Sequence, residues 1–535
     1  MENNLNSKKK HGNVEVGLII VSVAILAFFV VLMVAIPDQT LDGITAFFNG
    51  MISIGAPFFE IFLLITFIIA LYLGLGKYGK IRLGDCKPEY SRFSYIAMML
   101  LASLASAALY WSFTEWANYY EAPGLGMEPH SLEALESSLG YQFFHWGMAY
   151  QAMYTVMGVA IGYGVYIRKV KSFQTSAICS AMMGERINPQ GKTVIGKIID
   201  FCVIFGILGG LGSTLGLAVP LAAGGLNKLF GIESTAVVQV GIIVVIALVY
   251  IFTSYLGTNR GMKVISNGAA VLCIAFLLYV LFAGPTSFIL RNIVNSFGYM
   301  ISNFPRMTMF TDPVTDSGFP EAWTIYFVAF YLNYVAMMGI FIAKVSKGRT
   351  IREVAVATIL GISAGGWFLF GVDGSFSIKA YLDGSADVVG LVNSGIGDAA
   401  VYEILEALPL GGTLLAVVIL LLIVGFVAPS MDSASLALAE TVTKSGTPKM
   451  VIRIFWSILL ADIPLSITLL GASFDAIKYL SIIISAPFLI IVVGMEIGLF
   501  KWLKEDSRNG VHARNIALQE EELEQEEKAL AEKAQ

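Results

Sequence analysis

Charge is what this sequence has least of. Asp, Glu, Lys and Arg make up 14% of its 535 residues, against 56% hydrophobic. One water-soluble core of this length cannot bury that much apolar surface, which excludes an ordinary soluble domain or helical repeat. Its four cysteines, Cys86, Cys179, Cys202 and Cys273, fall in apolar stretches or beside basic loops. They exclude an extracellular disulfide framework, and their spacing fits no metal motif. Four histidines, His145 among them, are too few and too scattered for a metal centre. No phosphate-binding glycine loop with its lysine occurs, so the chain has no ATPase of its own. No repeated filter sequence is visible, which argues against an ion channel. Three lysines lead into a first apolar stretch too long for a signal peptide's core, and no small-residue cleavage site follows it, so this is read as a retained helix. The net charge of −5 arises largely in the tail and implies no nucleic-acid partner.

What the sequence has is apolar length. Twelve stretches run about 20 residues or more, the length a helix needs to cross a hydrocarbon core of about 30 Å. They are placed at Val14–Ile36, Pro57–Leu75, Phe93–Trp116, Phe143–Ile167, Val194–Leu221 and Ala236–Leu256 in the first half. In the second they are Val264–Phe282, Ala322–Ala343, Val354–Val372, Thr413–Ser433, Val451–Leu470 and Leu480–Trp502. Of the 34 lysines and arginines, 29 fall to the amino terminus, the even-numbered loops and the carboxyl tail. That asymmetry predicts that both termini are cytoplasmic. The expected fold is an all-α integral membrane protein of twelve transmembrane helices. Residues 1–13 form a cytoplasmic tail, 14–502 the transmembrane domain and 503–535 an acidic cytoplasmic helix or tail.

Outside the spans, Ser287–Asn303 mixes polar and apolar residues and suits an amphipathic helix on the membrane surface or an ordinary loop helix on the bundle. The acidic end, Ile516–Gln535, is strongly helix-forming. Leu101–Ala108 is rich in small residues, and Gly206–Gly216 holds five glycines in eleven positions with Pro220 after it. Runs of this kind serve close helix packing or line a cavity. Broken segments in both halves fit an inverted-repeat transporter, although no residue-level repeat is visible.

Aromatic residues are dense at two spans. The fourth, with the residues before it, holds Tyr141, Phe143, Phe144, His145, Trp146, Tyr150 and Tyr154. The eighth holds Trp323, Tyr326, Phe327, Phe330, Tyr331 and Tyr334. On continuous helices Phe330 and Tyr334 share a face with Tyr331 beside them, and Trp146, Tyr150 and Tyr154 share another. Two such faces meeting at mid-membrane form a box of π-faces suited to a quaternary ammonium, each ring contributing about 0.5–2 kcal/mol. Ordinary core packing is the competing reading of the same stripes.

Specific text then adds a family likeness. Trp323–Glu353 (WTIYFVAFYLNYVAMMGIFIAKVSKGRTIRE) and Phe143–Tyr154 (FFHWGMAYQAMY) resemble segments of the betaine/carnitine/choline transporter family. GLNKLFGI (Gly225–Ile232), NRGMKVISN (Asn259–Asn267), PRMTMFTDP (Pro305–Pro313) and SMDSAS (Ser430–Ser435) follow in the family's order, and the likeness runs from about Val14 to Trp502. The resemblance implies a secondary transporter with ten of twelve helices in two inverted five-helix repeats (LeuT-like), commonly a homotrimer. It places the substrate cage at Trp146, Tyr154, Phe330, Tyr331 and Tyr334, with Met338 matching the carnitine/γ-butyrobetaine antiporter branch. Where the family signature reads W-x-W-W, this chain has Val328, Phe330 and Tyr331, and Trp323 keeps the signature's leading tryptophan. Asn118 stands where the carnitine branch has a tyrosine.

The implied ion site is incomplete. Sodium-coupled members use a Thr-Ser pair on the tenth span, here Pro429-Ser430 after Phe426, and proline offers no hydroxyl. The arginine that replaces sodium in the carnitine branch corresponds to Ala269. Sodium bound by Phe426 and Ser430 with fewer side-chain ligands, proton coupling and substrate/product exchange all stay open. No cofactor is expected beyond Na+ or H+ as coupling ion. Glu60, Asp432, Asp462 and Glu496 lie in or near apolar spans, where acids are functional candidates. The expected protein is a non-enzymatic transporter of a small, quaternary-ammonium zwitterion in the cytoplasmic membrane, with no nucleic-acid partner. The alternatives are a solute-binding membrane sensor and a transporter of a non-quaternary zwitterion such as an amino acid.

Overall fold

Backbone groups in hydrocarbon must find partners within their own segment. The described residues meet that demand with helices, and their only β pairing is two isolated bridges, Val14 with Thr443 and Arg82 with Thr350. The computed structural model describes residues 14–534 apart from 105, 185–192, 256–260, 445–446 and 471–473, so the tail 1–13 lies outside the described residues. The helices are α1 (Val16–Ala35), α2 (Pro37–Leu75), α3 (Arg92–Leu101), α4 (Ser106–Glu121), α5 (Leu132–His145), α6 (Met148–Tyr166) and α7 (Thr175–Met182). Next come α8 (Val194–Phe230), α9 (Ala236–Tyr255), α10 (Gly261–Ala283), α11 (Thr286–Thr308) and α12 (Tyr326–Val345). After these are α13 (Ile351–Val356), α14 (Ser363–Leu382), α15 (Val388–Asn393), α16 (Gly397–Glu406), α17 (Thr413–Thr441), α18 (Met450–Leu470), α19 (Phe474–Arg508) and α20 (Val511–Ala534). Wide π-helical turns, Pro320–Ile325 and Ala357–Ile362, lead into α12 and α14.

Among the described residues, eight segments are long and apolar enough to cross a membrane. The apolar helices α9 and α18 coincide with the sixth and eleventh expected spans. The third and fourth expected spans are each two helices, the first pair parted after Leu101 and the second at Trp146–Gly147. The small-residue run Leu101–Ala108 therefore marks a helix break as well as close packing. Gly365 makes room for it, since a Cβ there would lie 2.1 Å from the Leu100 carbonyl oxygen. The segment read as amphipathic is α11, and the acidic end is α20.

The family-like loop text has a mechanical use. Gly348, at φ +80°, turns the chain so that its N–H donates to the Leu83 carbonyl at 2.8 Å. Leu83 and Ile351 return bonds at 2.8 Å to Arg349 and Ile81 carbonyls, clasping the second loop to the eighth. A Cβ at 348 would sit 2.6 Å from the Lys87 backbone, so glycine is required twice over. Thr350 and Glu353 then start α13 with a reciprocal capping box. At the centre, α6 is buried along nearly its whole length and packs most extensively on α12.

Candidate substrate-binding site

The bend in the fourth span sets the site. α5 ends at His145 and α6 begins at Met148, leaving Trp146 and Gly147 between them. The Phe143 carbonyl loses its helical donor there and accepts instead from the Trp367 indole N–H at 2.8 Å. Trp146 stacks on Phe370, centroids 4.8 Å apart. The expectation that Trp146, Tyr150 and Tyr154 share one helical face therefore needs correction: Trp146 lies off α6, on the bend.

α12 supplies the facing wall. Phe330, Tyr334 and Met338 fall at successive four-residue steps and are half-buried on a helix whose other sides are mostly buried. Trp146 meets Phe330 and Tyr331 edge-on at 6.1 and 6.4 Å between centroids. Tyr154 lies 5.2 Å from Tyr331, and Phe330 lies 5.2 Å from Tyr334. The five aromatic residues expected from the resemblance thus form one contiguous group, with Met338 one turn further along α12. The glycine run of α8 serves this wall. A Cβ on Gly210 would lie 2.9 Å from the Tyr334 ring, and Thr214 shares a 2.7 Å hydrogen bond with its hydroxyl. Gln151 donates to the Tyr331 hydroxyl at 3.0 Å. Tyr150 lies behind the group, fully buried, donating to the Thr324 carbonyl at 3.3 Å.

Glu115, on α4, is a member the sequence reading missed. It is fully buried, and its carboxylate accepts from the Trp146 indole at 2.8 Å and from the Tyr119 hydroxyl at 2.6 Å. Because the Tyr119 proton points to Glu115, His145 Nδ1 at 2.6 Å must donate to the tyrosine oxygen. That leaves Nε2 to accept from Thr324 at 3.4 Å. The His145 ring stacks on Phe327 at 4.7 Å. One carboxylate therefore fixes the direction of the indole and places a negative charge beside the aromatic group. The signal was available: Glu115 and Tyr119 are four apart on one helical face.

The ion-site residues are less assembled. Ser430, half-buried, donates to the Phe426 carbonyl of its own helix at 2.9 Å. Asp432 is paired with Arg453 at 2.7 Å, and Ser433 is exposed. Ala269 packs against Gly425, where an added Cβ would come within 2.5 Å of its methyl. Asn118 donates to the Thr114 carbonyl of its own helix at 3.4 Å. Glu496 accepts from Thr66 at 2.8 Å, whereas neither oxygen of Glu60 has a hydrogen-bond partner among the described residues. The Asp462 side chain lies outside the described residues. No group of three His, Cys, Asp or Glu able to hold a metal ion occurs among them.

Comparison with known proteins agrees with this architecture. Residues 17–508 match the family model described as BCCT, betaine/carnitine/choline family transporter. A carnitine transporter of Acinetobacter baumannii is 34% identical over 450 residues, 83% of this chain and 81% of that protein. The uncharacterized transporter YeaV of Escherichia coli K12 is 36% identical over 442 residues, 82% of this chain and 91% of that protein. A structure of a Na+-coupled sialic acid symporter in a substrate-bound outward-open state aligns at 16% identity and TM-score 0.40, covering 76% of this chain and 85% of that one. That last likeness is too slight to bear on function. The family match over nearly the whole chain and the two relatives make this a multi-pass membrane transporter, not an enzyme: the chain belongs to the betaine/carnitine/choline family of transporters.

Proposed function

We propose that the protein is a secondary active transporter of a small zwitterion bearing a quaternary ammonium group. The cationic head sits among Trp146, Tyr154, Phe330, Tyr331 and Tyr334, with Met338 at the floor. The observation that carries this reading is the contiguous aromatic group with Glu115 bonded to its only tryptophan. Ring faces attract a cation that has no hydrogen to donate, and a nearby carboxylate adds attraction without demanding one. Phenyl and phenol rings stand where the family signature has indoles, which weakens each contact and leaves room for a bulkier head group. The name of the A. baumannii relative points to the same substrate class. The basic loops support cytoplasmic termini in a cell membrane, access alternates by rocking of helical repeats, and family likeness supports a homotrimer.

Purified protein in liposomes tests this with radiolabelled glycine betaine, carnitine, choline and proline betaine, with and without internal solute and a sodium gradient. Uptake of at least one is expected. Tyr334→Ala should weaken binding far more than Tyr326→Ala, because Tyr334 is half-buried beside Phe330 whereas Tyr326 is fully buried. Equal losses of affinity, or no uptake of any of the four, refute the proposal. Binding without accumulation in any format identifies a sensor instead.

A further inference from the structure

Glu60 lies in the middle of α2, an apolar helix of 39 residues, with 1% of its surface exposed. Both carboxyl oxygens are buried, and neither has a hydrogen-bond partner among the described residues. The Tyr141 hydroxyl near it is buried and unpartnered as well. Other buried acids differ: Glu496 accepts from Thr66, Asp373 from Ser112, and Asp432 has Arg453. An ionised carboxylate with no partner in such a place costs many kcal/mol, so the group must be neutralised.

A proton neutralises it better than a metal ion does. A hard cation needs several oxygen ligands at once. The Tyr150 hydroxyl nearby is already committed to the Thr324 carbonyl, and no cluster of three His, Cys, Asp or Glu side chains able to hold a metal ion occurs among the described residues. A proton needs one oxygen.

The groups around Glu60 come from every side of α2. Glu321, half-buried in the first π-helical turn, is its charged neighbour, and Tyr141 and Tyr150 approach from α5 and α6. Glu496 on α19 meets α2 at Thr66, six residues and about 9 Å further along. α1 carries no charged side chain. Arg306 on α11 lies near Tyr141 and is bonded to the Leu125 carbonyl. Arg352 on α13 is bonded to Gly74 near the far end of α2. No cation is bonded to Glu60 among the described residues.

The position also touches the cage. α2 packs against α6 and against the π-helical turn that runs straight into α12. Tyr150 bridges these elements, its hydroxyl on the turn and its ring 5.3 Å from Tyr331.

We propose that Glu60 is a proton-binding site through which uptake is coupled to a proton gradient. In the conformation described here the carboxyl carries the proton. When α2, α6 and the π-helical turn rearrange, its O–H bond breaks, the electron pair stays on the carboxylate and the proton passes to water on the cytoplasmic side. A new proton from the outer side, where Glu321 stands, restores the acid, so one proton crosses per cycle. This rests on the transport reading above.

The test uses the full chain. Infrared spectroscopy of the purified protein at neutral pH should show a carboxylic-acid carbonyl band that shifts in D2O and is missing from Glu60→Gln. In liposomes holding a pH dye, an acid-outside gradient should drive accumulation of labelled carnitine or glycine betaine with acidification of the lumen. Glu60→Gln should still bind and exchange solute, with accumulation reduced to the level reached without a gradient, and Glu60→Asp should keep part of the coupling. A band unchanged by Glu60→Gln, wild-type uptake indifferent to the gradient, or full accumulation by Glu60→Gln overturns the proposal. If no solute binds to the wild type, the substrate reading fails on its own, and the infrared band of the wild type against Glu60→Gln or Glu60→Asp still decides Glu60.

Discussion

Trp146→Phe separates what the indole does for substrate from what it does for the fold. The change keeps an aromatic face against Phe370, Phe330 and Tyr331 but removes the N–H that donates to Glu115 at 2.8 Å. Loss of a buried hydrogen bond to a charged group costs about 1.5–3 kcal/mol of stability. Replacing indole by phenyl in a cation site costs up to about 2 kcal/mol of binding, or roughly thirtyfold in Kd. Trp323→Phe is the matched control. Trp323 is buried against Trp111 at 5.8 Å and Tyr119 at 4.9 Å, away from the half-buried face of α12. Equilibrium binding of labelled carnitine and glycine betaine in detergent, together with the thermal midpoint, reads both quantities. Both variants should lower the midpoint, and only Trp146→Phe should weaken binding. Equal losses of affinity would show that aromatic packing in general, not a cage at Trp146, sets binding.

Two more outcomes follow from the packing and from the tail. Gly425→Ala brings a Cβ to 2.5 Å from that of Ala269, so it should lower stability by about 1–3 kcal/mol, and the exchange Ala269→Gly with Gly425→Ala should recover most of it in a thermal-shift assay. No recovery would mean that the α10–α17 crossing is not the cause. Near the carboxyl terminus, burial holds His512 below the usual histidine pKa, and Tyr163 lies 2.9 Å from its Nε2. Released, His512 binds a proton more readily than when docked, so docking of α20 should hold above about pH 6.5 and weaken as pH falls below it. Hydrogen exchange across α20 between pH 7.5 and 5.5 measures this, and an unchanged profile refutes the role of His512.

The aromatic group was legible because half of it obeys one helical period. Phe330, Tyr334 and Met338 are four apart, and α12 runs unbroken through them. The other half was not legible from periodicity. His-Trp-Gly carries no proline, and one glycine is weak evidence for a break. The Trp367 indole that caps the Phe143 carbonyl stands 224 positions away in sequence. Glu115 was passed over for a related reason. The expected third span ended at Trp116, which made the acid look like a boundary residue, whereas α4 continues to Glu121 and buries it. Asp432 was noticed as an intramembrane acid, and its answer lay across the next helix, at Arg453. Local patterns gave spans and stripes, and contacts between distant spans decided which polar groups are used up.

The cap on the fourth-span bend also decides which parts travel together. Trp367 holds the Phe143 carbonyl, Phe370 lies flat against the Trp146 ring, and Gly366 packs on the Trp146 backbone. These three attachments, within one turn and a half of α14, bolt the bend and its Trp146 to that helix, while Tyr154 and Tyr331 belong to α6 and α12. The box is therefore jointed rather than rigid. Its seam runs between Trp146 and the tyrosines, so swinging α14 away from the α6–α12 pair parts the two sides of the aromatic group without unfolding either one.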